Sequence, residues 1–165
     1  MIDYAEMHVS QAEMTESRLR LQRARKASGK TPDDLAEFVG NSQSNYYDLE
    51  NCDGELFTTI SLRELSQLCS ALGIKPRELF DGPTNAEQTI SPEQLVSEAK
   101  AYLSQNRMSV AEFEESIGFE IGPSLKDTSK VLEWNVDFLR WLCSRLELDW
   151  RSVSYRGKTY ATTQT

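Results

Sequence analysis

Apolar residues recur along this chain at spacings of three and four positions, and strand-like alternation is nearly absent. The first predicted helix runs from about Thr15 to Ser28 and stops at Gly29. Four more helices follow behind N-terminal signals, at Thr31-Pro32, at Ser42, at the capping box Ser61 to Glu64, and at Pro76. A loop over 51–59 separates the third helix from the fourth, and the last helix ends at Phe80.

The second half of the chain repeats the order of the first. Residues 31–40 align with residues 109–118 at an offset of 78, and residues 65–74 align with residues 139–148 at an offset of 74. The second pair of blocks shares the tripeptide Leu-Cys-Ser. Two independent blocks in the same order indicate a degenerate internal repeat.

These patterns predict an all-α fold made of two helical units. An acidic leader over 1–17 precedes the first domain at 18–80. A linker over 81–90, where the apolar periodicity is lost, leads to the repeat at 91–154, and residues 155–165 form a tail.

The net charge of -8 is spread unevenly. Residues 1–17 carry four acids and no Lys or Arg, residues 18–80 carry nine groups of each sign, and residues 81–165 carry nine basic and thirteen acidic groups. Six of the basic groups lie between Arg18 and Lys30. This cluster could face phosphates, whereas the rest of the surface would repel them.

Several classes of protein are disfavoured. No apolar run approaches the roughly 20 residues that cross a bilayer, and the N-terminus lacks a signal-peptide pattern, so we expect a cytoplasmic protein with no membrane partner. Cys69 and Cys143 lie in apolar helical runs, Cys52 lies in a loop, and the one histidine is His8. Core thiols therefore fit better than a metal site. Without a catalytic constellation or a phosphate-binding glycine loop, we expect neither an enzyme nor a cofactor.

A spaced set of residues carries a resemblance: Leu21-x-x-Ala24-Arg25-x-x-x-Gly29, Leu35-Ala36, Gly40, Ser42-Gln43-Ser44, Leu49-Glu50, and Leu65 to Leu72. In these positions the chain resembles the phage-repressor (Cro/cI-like, XRE) helix-turn-helix family. The resemblance implies a lambda-repressor-like domain of five helices whose third helix enters the DNA major groove. It also implies a structural ion pair between Arg25 and Glu50, and a homodimer on a double-stranded DNA operator.

The third helix offers a polar face. Tyr46 and Leu49 are three residues apart and are expected in the core. The remaining positions are the base-reading candidates Gln43, Ser44, Asn45, Tyr47 and Asp48. Gln and Asn pair with adenine, Asp accepts from cytosine, and Tyr can contact a thymine methyl. The alternative is a solvated polar face.

Phosphate contacts are expected to be few. The candidates are Arg23, Lys26, Lys30 and Ser42. Pro32 stands where many family members have a Gln that contacts phosphate, and the turn after Glu50 is acidic. Because each neutralised phosphate adds affinity through counterion release, DNA binding should be weak and salt-sensitive.

The repeat departs further from the family, because Gly122-Pro123 would break a reading helix. The apolar positions predict instead one helix with a broad apolar face, through Trp134, Phe138, Trp141, Leu142 and Leu146, with Trp150 after it. The tryptophans either fill a second core or build an interface with a partner.

Two functions follow. The first is a sequence-specific DNA-binding transcriptional regulator that reads DNA with the third helix. The second is an acidic interaction protein of the antitoxin or immunity type, which would block a basic toxin. The polar third helix favours the first and the acidic second half favours the second, because fold alone does not fix function.

Overall fold

The computed structural model describes residues 10–81, 89–153 and 155. The first nine residues with His8, most of the linker and nearly all of the tail lie outside this range. The helices of the described part are α1 (Gln11–Ser28), α2 (Pro32–Phe38), α3 (Gln43–Asn51), α4 (Glu55–Thr58), α5 (Leu62–Leu72), α6 (Pro76–Asp81), α7 (Pro92–Gln105), α8 (Val110–Ile117), α9 (Gly122–Lys126) and α10 (Val136–Leu146). A first 3-10 helix spans Thr128–Glu133 and a second spans Trp150–Ser152. The predicted all-α fold is confirmed.

Helix α1 begins earlier than the sequence pattern predicted, inside the segment that was expected to be a leader. The Ser10 hydroxyl accepts the N–H of Glu13, and the Glu13 carboxylate accepts the N–H of Ser10. This capping box satisfies amides that have no partner within the helix. The added turns are also tied to the loop after α3, because Asp53 accepts hydrogen bonds from Gln11, from Thr15 at 2.8 Å and from Arg18 at 2.5 Å.

Two local predictions were wrong. The loop expected over 51–59 contains α4, which forms because Leu56 and Phe57 insert into the core. Trp134 is not part of α10: it ends the first 3-10 helix, and Asn135 caps α10 by accepting the N–H of Phe138.

Gly122-Pro123 also behaves differently from the expectation of a simple break. It begins α9, with the proline in the first turn, where a missing N–H costs nothing. The Glu114 carboxylate accepts the N–H groups of Ile121 and Gly122 at 2.8 and 2.7 Å. Glu114 therefore caps the start of α9.

One continuous hydrophobic core runs through both halves of the chain. The Trp150 ring lies edge-on to Phe80 and Phe57 of the first half, with centroid distances of 5.0 and 6.4 Å. Cys69 and Cys143 are buried in this core, which raises the pKa of each thiol to about 12. The two halves thus form a single packed unit.

Candidate nucleic-acid interface

Helices α2 and α3 form a helix-turn-helix unit whose turn is set by Gly40. The Thr31 hydroxyl and the Asp34 carboxylate cap α2 reciprocally, at 3.1 and 2.8 Å. Gly40 has φ +68°, and nothing lies within 4 Å of the place where a Cβ would be. Glycine is therefore favoured here for its backbone conformation and not for space.

The start of α3 is held by a small polar network. The Ser42 hydroxyl accepts the N–H of Asn45 at 3.1 Å. The Asn41 side-chain oxygen accepts both the N–H of Ser42 and the side-chain amide of Asn45, each at 2.9 Å. These bonds fix the direction in which the first turn of α3 leaves the domain.

The outer face of α3 is open to solvent along most of its length. Tyr46 and Leu49 are buried, as expected. Among the base-reading candidates, Asp48 is half-buried and the others are exposed: Gln43, Ser44, Asn45 and Tyr47. Tyr47 is 60% exposed. The described C-terminal half does not cover this face.

The inner face of α3 is fixed to α1 by a buried ion pair. Arg25 donates from Nε to Glu50 Oε1 at 2.5 Å and from Nη2 to Oε2 at 3.1 Å. The Tyr46 hydroxyl donates to the same Oε1 at 2.8 Å, and the Glu50 side chain is 3% exposed. The hydrogen bonds with Glu50 raise the pKa of Arg25, and burial raises the pKa of Tyr46. The arrangement locks α3 in one orientation.

Comparison with known families agrees with this geometry. Residues 20–84 match the family described as the Cro/C1-type HTH DNA-binding domain. This segment is a Cro/C1-type domain. No curated protein and no solved structure matches the chain. The family resemblance predicted from the sequence is confirmed for the first half, and it supports a DNA-binding regulator.

Half of the six basic residues between Arg18 and Lys30 serve the fold of this Cro/C1-type domain. Arg18 is paired with Asp53, Arg25 with Glu50, and Arg20 donates to the carbonyl of Leu79 at 3.3 Å. The sequence could not show this, because a run of basic residues does not reveal where each side chain points.

Of the candidate phosphate contacts, Ser42 is exposed next to α3, while Lys26 and Lys30 lie near the end of α1. Arg23 stands two positions before Arg25, about 200° around the helix, so it points away from α3. It lies 4.0 Å from Glu16 and is 66% exposed.

Exposed acidic side chains lie along α2, and two of them, Asp33 and Asp34, are in its first turn. Asp33, Asp34 and Glu37 are all exposed. A free helix N-terminus would attract a phosphate, but here the hydrogen bonds with Thr31 lower the pKa of Asp34 and keep its carboxylate charged over the first turn. The first turn of α2 therefore disfavours a phosphate group nearby.

Other kinds of site find no support in the described residues. No group of three or more His, Cys, Asp or Glu side chains is arranged to hold a metal within them. None of the described helices has the length and apolar character that a membrane crossing requires.

Proposed function

We propose that this chain is a sequence-specific transcriptional regulator that reads the DNA major groove with α3. The observation that carries the proposal is the contrast between the two faces of α3. Its inner face is locked to α1 through Arg25 and Glu50, and its outer face presents uncovered polar side chains. A rigid helix with exposed donors and acceptors is what base recognition needs.

The base-edge contacts are assigned by chemistry. Gln43 and Tyr47 are four residues apart and therefore share one face of α3. Gln43 and Asn45 can each donate to and accept from adenine, and the Tyr47 ring can meet a thymine methyl. Asn45 uses one amide hydrogen on Asn41, so its orientation is set before DNA arrives.

Affinity is expected to depend on few phosphate contacts. With Arg23 pointing away from α3, the remaining candidates are Lys26, Lys30 and Ser42, and two of these carry charge. Counterion release by two cations predicts a slope of about -1.8 for log affinity against log salt concentration. Binding should therefore be weak, with most of its specificity coming from α3.

The experiment is a salt series of binding to duplex DNA from upstream of the chain's own gene. We expect a sequence-specific complex that weakens as salt rises and is lost in the double variant Gln43→Ala/Asn45→Ala. The matched control is Gln105→Ala/Asn106→Ala, which removes the same two residue types from exposed positions in the second half. Equal binding by both double variants would show that α3 is not the reader.

A second function is favoured by the exposed acids of both halves. Glu112, Glu115 and Glu120 are exposed in the second half, as Asp33 and Glu37 are in the first. Such a surface fits an antitoxin or immunity protein that binds a basic toxin. No DNA binding at low salt, together with a stoichiometric complex with a basic protein encoded next to it, would favour this alternative.

A further inference from the structure

The two halves of the chain pack against each other reciprocally. Helix α5 contacts the first 3-10 helix, and α10 contacts α4. At the offset of 74 residues, α5 corresponds to α10, and α4 corresponds to a part of the first 3-10 helix. Helix α5 therefore contacts the second-half counterpart of α4, and α10, the counterpart of α5, contacts α4 itself. Such an exchange is the signature of a twofold interface.

The same relation extends to the next pair of elements. Helix α6 contacts the second 3-10 helix. At the offset of 74 residues, Pro76, which begins α6, corresponds to Trp150, which begins the second 3-10 helix. The contact is thus made by two equivalent elements, as happens at the axis of an isologous dimer.

Backbone conformation supports the equivalence of the halves independently of side chains. Three positions at helix ends in the first half have positive φ, and so do their counterparts in the second, giving the pairs Gly29 and Arg107, Gly40 and Gly118, and Gly73 and Glu147. Arg107 and Glu147 are the positive-φ residues other than glycine in the described chain. Residues with a side chain disfavour positive φ, yet Arg107 and Glu147 adopt it at the positions that correspond to glycines of the first half. The two halves therefore share the same backbone conformation at these helix ends.

The interface between the halves is bonded and apolar. The Leu62 N–H donates to the Trp134 carbonyl at 2.8 Å, and the Asn135 side-chain amide donates to the Thr58 carbonyl at 3.1 Å. Leu62 and Trp134 are buried. The α4–α6 face of the Cro/C1-type domain is thus covered by its own chain.

We infer that residues 91–153 act as a covalently attached partner of the Cro/C1-type domain, making each chain a pseudo-dimer that binds DNA as a monomer. This inference rests on the proposed function for its DNA part. The second half occupies the α4–α6 face, so the homodimer expected from the sequence is not formed through that face. In the second half, the counterpart of α3 is α9, which is five residues long and follows the exposed Glu120. This helix is too short and too acidic at its start to read DNA as α3 does. One chain therefore reads one half-site.

Two measurements on the full chain test this inference. The first is the mass of the free protein by light scattering, from low to high micromolar concentration. We expect 18.8 kDa throughout. A concentration-dependent rise to twice that mass would overturn the inference, whatever DNA does.

The second measurement is in vitro selection from random duplex DNA, followed by native mass spectrometry of the complex. We expect one unsymmetrical motif of no more than about 10 bp, one helical turn, bound by one chain. A palindrome bound by two chains would overturn the pseudo-dimer while leaving the proposed function intact. If no sequence is enriched, the proposed function fails, and the mass of the free chain still decides the pseudo-dimer.

Discussion

The buried ion pair between Arg25 and Glu50 makes a strong prediction for stability. Replacement of Arg25 by alanine leaves the Glu50 carboxylate, 3% exposed, with the Tyr46 hydroxyl as its remaining side-chain partner. A buried charge without its counter-ion costs about 3–5 kcal/mol of unfolding free energy. The Arg25 guanidinium also holds the Lys30 carbonyl at 3.2 Å, so the loss should fall within that range and not below it.

Urea unfolding followed by tryptophan fluorescence measures this loss. The matched control is Arg23→Ala, since Arg23 is on the same helix and 66% exposed. We expect the control to stay within about 0.5 kcal/mol of the parent. The triple variant Arg25→Met/Glu50→Leu/Tyr46→Phe should recover most of the stability, because apolar residues of similar volume can replace a buried pair and Tyr46→Phe removes the hydroxyl that donates to Glu50. Equal losses in Arg25→Ala and Arg23→Ala would refute the reasoning.

Four further predictions follow from single residues. Gly40→Ala should lose about 1–2 kcal/mol in thermal unfolding because φ is +68°, and Gly40→Asn should lose less; equal losses would point to crowding instead. Asp33→Lys should tighten DNA binding and steepen the salt slope by about 0.9, if the new cation meets a phosphate. Trp150→Ala should cost about 2–3 kcal/mol in urea, below the range for full burial because Trp150 is half-buried. Hydrogen bonding with Arg18 lowers the pKa of Asp53, so the stabilisation from its carboxylate is present above the ordinary carboxyl pKa and is lost as the pH falls through the lowered pKa; the difference in unfolding free energy between the parent and Asp53→Asn should shrink over that acid range.

Local signals in the sequence were sufficient for most of the helical framework. The capping residues Thr31, Ser61 and Ser91 begin helices where they were expected, because a cap and its third following residue act within one turn. Arg25 and Glu50 lie together as the family resemblance implied.

Features that depend on distant contacts were missed. Helix α4 is too short for periodicity to reveal, and it exists because Leu56 and Phe57 reach the core. The early start of α1 depends on Asp53, which is far away along the chain. Trp134 fits the helical spacing of α10, yet Asn135 provides a cap that begins the helix after it.

The sequence was sufficient to predict where the candidate DNA-reading face lies, but not which basic side chains are available beside it. The polar face of α3 could be derived from the spacing of Tyr46 and Leu49. The electrostatics could not, because the orientation of each arginine on α1 depends on partners elsewhere, such as Asp53 and the Leu79 carbonyl. Three of the six basic residues between Arg18 and Lys30 are bound to partners within the fold, which leaves few cations for phosphate contacts.

The central claim is that the outer face of α3 touches the bases. Its most direct test places a photoreactive benzophenone side chain at Tyr47, with a control at Glu98, an exposed residue of α7 in the second half. After irradiation with the selected duplex, the account predicts a DNA adduct from position 47 and none from position 98. An adduct from position 98 alone, or from neither position while binding persists, would contradict it.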